Sequence, residues 1–259
     1  MEPEAANASM QQTEVVKPRN FFSRLGGVYT SPGETFREIG RSPQVLIPII
    51  ALIIISLLGG YYLSQKIDLG AMQAERLERL VTNGTITKEQ MEQQMALASK
   101  LGGAQLIIGS PISSLFMVLI IAAIFKLISS IVGAENRFKA LFTVTVYTMI
   151  AVSIVQSILL VVVLSFKSPA DLAGTDIRTI IASNLGALVS SLLGDDALPK
   201  YLMRLLGWVD IFAIWIIALL AIGYSAVSRK LKTSTAATWL GCLYGIIALI
   251  GAALGGMLS

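Results

Sequence analysis

The sequence predicts an all-α polytopic membrane protein with five transmembrane helices and short interfacial amphipathic helices. Of its 259 residues, 54% are hydrophobic and only 14% are charged, and the mean hydropathy is +0.73. These values lie outside the range of ordinary soluble domains. Long uncharged apolar runs also recur, long enough for a helix to cross a hydrocarbon core of about 30 Å at 1.5 Å per residue. The predicted spans are residues 44–64, 105–132, 140–166, 205–228 and 235–258, which define a membrane domain over residues 43–259.

The first 20 residues are polar, contain two prolines and have no apolar run. They match neither a secretory signal nor a transit peptide. A segment of this composition cannot bury enough apolar surface to fold alone, so residues 1–20 are predicted to be a disordered cytoplasmic tail.

Residues 21–42 are predicted to form two short helices on the cytoplasmic side. In the first, Phe21, Leu25 and Val28 recur at helical spacing while Arg24 faces the other way. This pattern suits a helix that lies in the membrane interface or one that packs beneath the spans.

The second short helix has a start signal at Ser31 and Pro32, which supply an N-cap and the first helical position. Phe36 and Ile39 give this helix an apolar side. The residues expected to form the surface of the cytoplasmic leader are Phe21, Leu25, Ser31, Pro32 and Phe36.

Small residues at helical spacing predict close helix packing in the first and last spans. Such residues let two helix backbones approach each other within a membrane. The predicted packing positions are Ser56 and Gly60 in the first span and Gly241, Gly245, Gly251 and Gly255 in the last.

Two segments between spans are amphipathic. Residues 65–103 predict a pair of water-exposed helices, the second opened by a capping box of Thr87 and Gln90. Their balanced charges are typical of solvated helix faces, and a docking site for a partner is the alternative. Residues 177–193 predict an interfacial or re-entrant helix, with a sixth span as the alternative, because a charge and several polar groups interrupt the apolar face.

The distribution of Lys and Arg predicts the orientation. With five spans, the N-terminal tail and the two short turns between spans share one side, which carries eleven Lys and Arg against nine in the two long segments opposite. Because short basic segments stay inside, the N-terminus is predicted to be cytoplasmic and the C-terminus outside.

Ionisable and amide groups inside a span are functional candidates. Gln156, near the middle of the third span, suits an interhelical hydrogen bond or the lining of a solute or lipid path. Asp210 suits an interface-level ion pair or helix-start carboxylate more than a proton carrier. Lys126, near the end of the second span, suits an anchor that snorkels to the interface.

The composition also disfavours several function classes. Histidine is absent and Cys242 is the single cysteine, so imidazole bases, Cys-His nucleophiles and His-ligated metals are ruled out. No phosphate-binding glycine loop with a lysine in register is present. The basic residues form no continuous patch with interleaved aromatics, which argues against nucleic acid. No cofactor, metal site or catalytic residue is therefore predicted.

The leader resembles a known family. Its residues Arg24-Leu25, Gly27-Val28, Ser31-Pro32, Thr35-Phe36 and Ile39, with residues 138–142 leading into Val146-Tyr147, are similar to the bacterial branch of the Yip (Ypt/Rab-interacting protein) membrane family. The resemblance implies a five-span protein of the inner membrane with a cytosolic N-terminus and no established chemistry. The Asp-Leu-Tyr-Gly-Pro motif of the Rab-linked eukaryotic relatives is absent here, so Rab binding is not implied.

These observations together predict a non-enzymatic membrane scaffold or adaptor of the Yip type. Its expected partners are the lipid bilayer and a membrane protein or a second copy of the chain. The alternative is a permease or lipid-handling protein with a pathway beside the third span. An intramembrane enzyme is disfavoured because the sequence offers no histidine and no acid pair at mid-membrane depth.

Overall fold

The computed structural model of the protein describes residues 19–66, 74, 77–78, 80–167, 180–194 and 197–257. Over these residues the chain is almost wholly helical, and extended pairing is limited to two isolated bridges. The helices are α1 Phe21–Thr30, α2 Pro32–Arg41, α3 Leu46–Lys66, α4 Lys88–Ile131, α5 Phe138–Phe166, α6 Leu185–Leu193, α7 Lys200–Trp208, α8 Ile211–Val227 and α9 Thr233–Met257.

Four of the described helices are long and apolar enough to cross a membrane. They contribute Leu46–Lys66, Gly103–Ile131, Phe138–Phe166 and Thr233–Ala253. A fifth apolar helix, α8, has 17 residues and is therefore about 26 Å long, slightly less than a hydrocarbon core. The predicted all-α membrane class is confirmed, with a fifth span that is shorter than expected.

The predicted fourth span, 205–228, is interrupted. Helix α7 ends at Trp208 and α8 begins at Ile211, and the backbone between them is extended. The Asp210 carboxylate accepts hydrogen bonds from the backbone N–H groups of Phe212 and Ala213 at 2.7 and 3.2 Å. This N-cap starts a new helix, and apolar content alone does not reveal it.

The apolar part of the second span begins at Gly103, close to the predicted residue 105, but no break separates it from the amphipathic helix before it. Helix α4 runs without a break for 44 residues from the capping box at Thr87 and Gln90, which forms as expected. Pro111 lies inside this helix. Packing against α3 sustains α4 through the proline, as neighbouring helices do in membrane proteins. Most of the other predicted amphipathic helix lies outside the described residues.

The alternative of a sixth span over residues 177–193 is wrong. Helix α6 begins only after Asn184, whose side chain caps it, and its nine residues are about 14 Å long. Residues 177–179 lie outside the described part of the chain. Helices α6 and α7 cross closely, because a Cβ added at Gly186 would lie 2.9 Å from the Gly207 nitrogen and the Met203 carbonyl oxygen.

The bundle core is organised around α1 and α2, which we call the leader hairpin (Phe21–Arg41). It packs against α5 and α8, and Val28, Phe36 and Ile39 are fully buried. The chain enters and leaves the hairpin at one end of the bundle. We call this end the leader face, and it is formed by residues 42–45, 132–137 and 228–232. At the far end of the hairpin, Tyr29 donates a hydrogen bond to the carbonyl of Ala151 at 2.7 Å, roughly 20 Å along α5.

The expectation of an exposed leader surface is therefore corrected. Phe36 is fully buried, and Phe21, Leu25, Ser31 and Pro32 are half-buried. The first helix was predicted to lie in the interface or beneath the spans, and it instead packs alongside them, against α5 as far as Ala151. The reason is that both faces of the hairpin find partners: α5 on one side and α8 on the other.

Candidate functional site

The leader hairpin is held together by a buried ion network. Arg24, predicted to face away from the apolar side, has a side chain with no solvent exposure. Its Nε donates to Glu38 Oε1 at 3.1 Å and its Nη1 donates to the Ser42 carbonyl at 3.0 Å. Arg19 also pairs with the Glu38 carboxylate, through its side chain and through its backbone N–H. The Glu38 carboxylate, near the end of α2, therefore links that helix to the start of α1.

The electrostatics of this network favour an ionised Glu38. Burial by itself would raise the pKa of its carboxyl, but hydrogen bonds from Arg19 and Arg24 outweigh burial and hold the pKa below its ordinary value. The ionised Glu38 neutralises the positive charge of Arg24. Burying that charge without a partner would cost a large amount of free energy.

Beside the network, three buried polar atoms form no hydrogen bond of standard geometry with a described residue: Arg24 Nη2, Tyr147 Oη and Thr148 Oγ1. The Tyr147 hydroxyl nevertheless interacts with the Arg24 guanidinium. Tyr147 also stacks on Phe21, with ring centroids 5.7 Å apart. Arg24 and Tyr147 come from the two stretches that carry the family resemblance, and the fold brings those stretches together across α1 and α5. Polar atoms of this kind are commonly satisfied by internal water.

A second polar feature is an open cavity of about 630 Å³ at the leader face, which we call the leader-face cavity. Three elements converge there: the end of α2, the loop between α4 and α5, and the end of α8. Its lining residues are Arg37, Gly40, Arg41, Glu135, Asn136, Arg137, Ala226, Val227 and Arg229.

The leader-face cavity is strongly positive. Four guanidinium groups against the single carboxylate of Glu135 give its lining a net charge of +3. That carboxylate is shared between Arg229 at 3.9 Å and Lys230 at 3.7 Å. Arg137 braces the wall by donating to the carbonyl of Gly40 at 2.8 Å. Arg37 and Arg41 form no ion pair or hydrogen bond with a described residue.

Asn136 adds an unpaired donor to the cavity wall. Lys126 Nζ donates to the Asn136 carbonyl oxygen at 2.9 Å and to its Oδ1 at 3.1 Å. Because an ammonium can only donate, this contact identifies Oδ1 as the oxygen. The buried Nδ2 then has no partner among the described residues. Lys126 holds this loop in place, and its expected role as an interfacial anchor stays a prediction.

The other predicted polar residues lie elsewhere. Gln156 is half-buried on α5 and makes no hydrogen bond to a described residue, so the expected interhelical bond is not formed with that part of the chain. Asp210 caps α8 and also accepts a hydrogen bond from the Ser183 hydroxyl, so it is placed as a helix-start carboxylate.

The small residues of the first span lie at a tight crossing of α3 and α4. Ser56 Oγ and Ser114 Oγ are 3.1 Å apart, and Ser110 donates to the Ser56 carbonyl at 2.8 Å. A Cβ added at Gly60 would overlap the carbonyl oxygen of Leu106.

The glycines of the last span divide into two groups. Gly251 lies directly against the ring of Trp208, and a Cβ there would overlap it. Around Gly241 and Gly245 the described chain leaves open space, so the packing expected at those two positions is not made there. The surroundings of Gly255 lie outside the described residues.

Sequence reasoning missed the leader-face cavity altogether. Its arginines come from three separate segments, each of which reads as an ordinary basic flank of a span. The buried ion pair left one local signal, which is the position of Arg24 among the apolar residues Phe21, Leu25 and Val28. Among the described residues no group of three metal-ligating side chains occurs.

Comparison with known proteins agrees with this architecture. A family model described as the Yip1 domain matches residues 26–255. The chain is also 30% identical over 231 residues to the membrane protein YknW of Bacillus subtilis (strain 168), a match that covers 86% of each chain. No solved structure matches.

Proposed function

The chain belongs to the Yip1 domain family of membrane proteins, and we propose that it acts as a non-enzymatic scaffold or adaptor that holds a partner protein beside its bundle. The absence of histidine and the placement of Cys242 within α9 support the non-enzymatic part of this proposal. We also propose the bacterial inner membrane as its location, with the N-terminus in the cytoplasm and the C-terminus outside.

The observation that carries the adaptor proposal is the extension of α4 beyond its membrane span. The apolar span of this helix starts at Gly103, whereas the helix starts at Lys88. The intervening 15 residues project about 22 Å past the span. Such a projection supplies a rigid platform for another protein outside the hydrocarbon.

The extension carries exposed apolar side chains. Leu97 and Leu101 lie one helical turn apart and are 59% and 51% exposed. Ser99, between them in sequence, is also exposed but lies on the other side of the helix. Paired leucines at i and i+4 on an exposed helix are the anchors used when a helix docks into an apolar groove.

Site-specific photo-crosslinking in intact cells tests this proposal. A photoreactive residue at Leu97 or Leu101 is expected to capture one defined protein in high yield, and the matched position Ser99 is expected to capture it weakly. If none of the three positions yields a protein adduct, and the purified chain is an inert monomer, the adaptor proposal is wrong.

A second candidate is a permease or lipid-handling protein with a path beside α5. The observation that favours it is the group of buried polar atoms at Arg24, Tyr147 and Thr148 that form no standard hydrogen bond with a described residue. Gln156, further along α5, also makes no hydrogen bond to that part of the chain. Uptake or lipid movement in reconstituted vesicles, reduced by Gln156→Ala, would support it. An unchanged rate in vesicles that are active with the native protein would reject it.

A further inference from the structure

We propose that the leader-face cavity is a binding site for a phosphate-bearing anion. The cavity lies beside the ends of the apolar helices α5 and α8, which is where lipid headgroups are expected. Its ligand can therefore be an anionic headgroup from the bilayer or a free phosphate compound from the adjacent water. Both present the same chemistry to the wall: negatively charged oxygens that accept several hydrogen bonds.

The cavity wall concentrates positive charge that no carboxylate of the described chain fully neutralises. Arg37 and Arg41 lie one turn apart on α2, line one cavity, and have no carboxylate partner among the described residues. Arg229 shares its only described carboxylate with Lys230. Guanidinium groups present paired N–H donors that match the spacing of phosphate oxygens.

The loop between α4 and α5 adds an amide to the wall. Asn136 lines the cavity, and Lys126 fixes the orientation of its side chain. Its Nδ2 makes no hydrogen bond to a described residue but has almost no accessible surface, so an anion in the cavity would reach this donor only if the loop moved.

Contacts within the protein hold the cavity wall in place. Arg137 is tied to Gly40, and the Arg229 backbone N–H donates to the Glu135 carbonyl at 2.8 Å. A Cβ at Gly40 would lie 2.8 Å from Val227 Cγ1, so α2 and α8 are in direct contact at this wall. A site assembled from three fixed elements loses little conformational freedom when it binds.

The test uses the full chain in neutral detergent micelles, where no anionic surface is present. One arm adds dioleoylphosphatidylglycerol, with dioleoylphosphatidylcholine as the zwitterionic reference, and counts retained lipids by native mass spectrometry. The other arm adds inorganic phosphate or pyrophosphate and follows the thermal unfolding temperature. We expect saturable binding of one anion per chain in at least one arm, and the arm that responds identifies the source.

The informative variant is Arg37→Gln with Arg41→Gln. Each arginine near an anionic group contributes about fivefold to binding, so the pair should account for roughly 25-fold. The matched control is Lys139→Gln with Lys232→Gln, which removes the same charge from exposed positions at the leader face that do not line the cavity. The control is expected to bind within about threefold of the native chain.

Binding should also weaken as salt is raised, because the cavity is open to water. Absence of saturable binding in both arms would overturn the proposal, as would an equal loss in the cavity and control variants. Should the double variant fail to fold, Arg37→Glu alone gives the same comparison, since it reverses one charge at an exposed position.

Discussion

Arg24 Nε lies 3.1 Å from Glu38 Oε1, which places an ion pair between the two helices of the leader hairpin inside a membrane bundle. The arginine is fully buried, and the side chain of the glutamate is 24% exposed. Because the hairpin packs between α5 and α8, this pair fixes the element around which the core is formed. Its stability is therefore expected to control that of the whole bundle.

Glu38→Gln is expected to destabilise the protein by about 3 kcal/mol or more, because it leaves Arg24 as an unpaired buried charge. The matched control is Glu34→Gln, one turn earlier on α2, where the side chain is exposed and makes no ion pair with a described residue. Thermal unfolding of both variants in the same detergent measures the difference. Equal stability of the two variants would show that the pair contributes nothing.

The same pair predicts a pH dependence. The folded-state pKa of Glu38 is lowered from its ordinary value of 4.5, so its contribution to stability is complete above that value and is lost as pH falls through the lower folded pKa. The gap in unfolding temperature between native protein and Glu38→Gln should therefore narrow below about pH 4.5. A gap that stays constant with acidification would contradict an ionised Glu38.

Gly60 and its neighbour Gly59 offer a matched pair in α3. An added methyl group at Gly60 would overlap the backbone of Leu106, whereas at Gly59 the described chain leaves open space. Gly60→Ala is expected to cost about 1–3 kcal/mol through overpacking, and Gly59→Ala to be neutral or slightly stabilising. Unfolding in detergent tests this, and equal effects would place the α3–α4 crossing elsewhere.

Asp210→Ala is expected to destabilise α8 by about 0.5–2 kcal/mol, since the N-cap of this helix is lost. Asp210→Asn keeps an oxygen acceptor and should retain most of the stability. Comparing the two variants by thermal unfolding separates capping from charge. If both were equally destabilised, the negative charge rather than the cap would be the important feature.

The proposed orientation can be tested with single cysteines in a chain carrying Cys242→Ser. Ser99→Cys, on the α4 extension, should react with a membrane-impermeant maleimide in cells whose inner membrane is intact. Ser234→Cys, near the leader face, should react only after that membrane is permeabilised. The reverse pattern would place the N-terminus outside.

Several features could be read from the sequence because they depend on local chemistry. The capping box at Thr87 and Gln90 formed as predicted, since its two hydrogen bonds join residues three apart. The break before Asp210 was missed, because residues 205–208 and 211–228 are both mostly apolar, and only the N-cap at Asp210 ends one helix and starts the next.

The sequence by itself determined that this is a membrane protein and to which family it belongs. Both depend on properties of neighbouring residues, namely hydropathy and a short leader pattern. Only the tertiary structure decided that Arg24 is buried, since its partners Glu38 and Ser42 must be brought to it by a helical hairpin. The leader-face cavity likewise exists only in the fold. Its arginines are up to 192 positions apart, from Arg37 to Arg229, and local pattern carries no information about such distant neighbours.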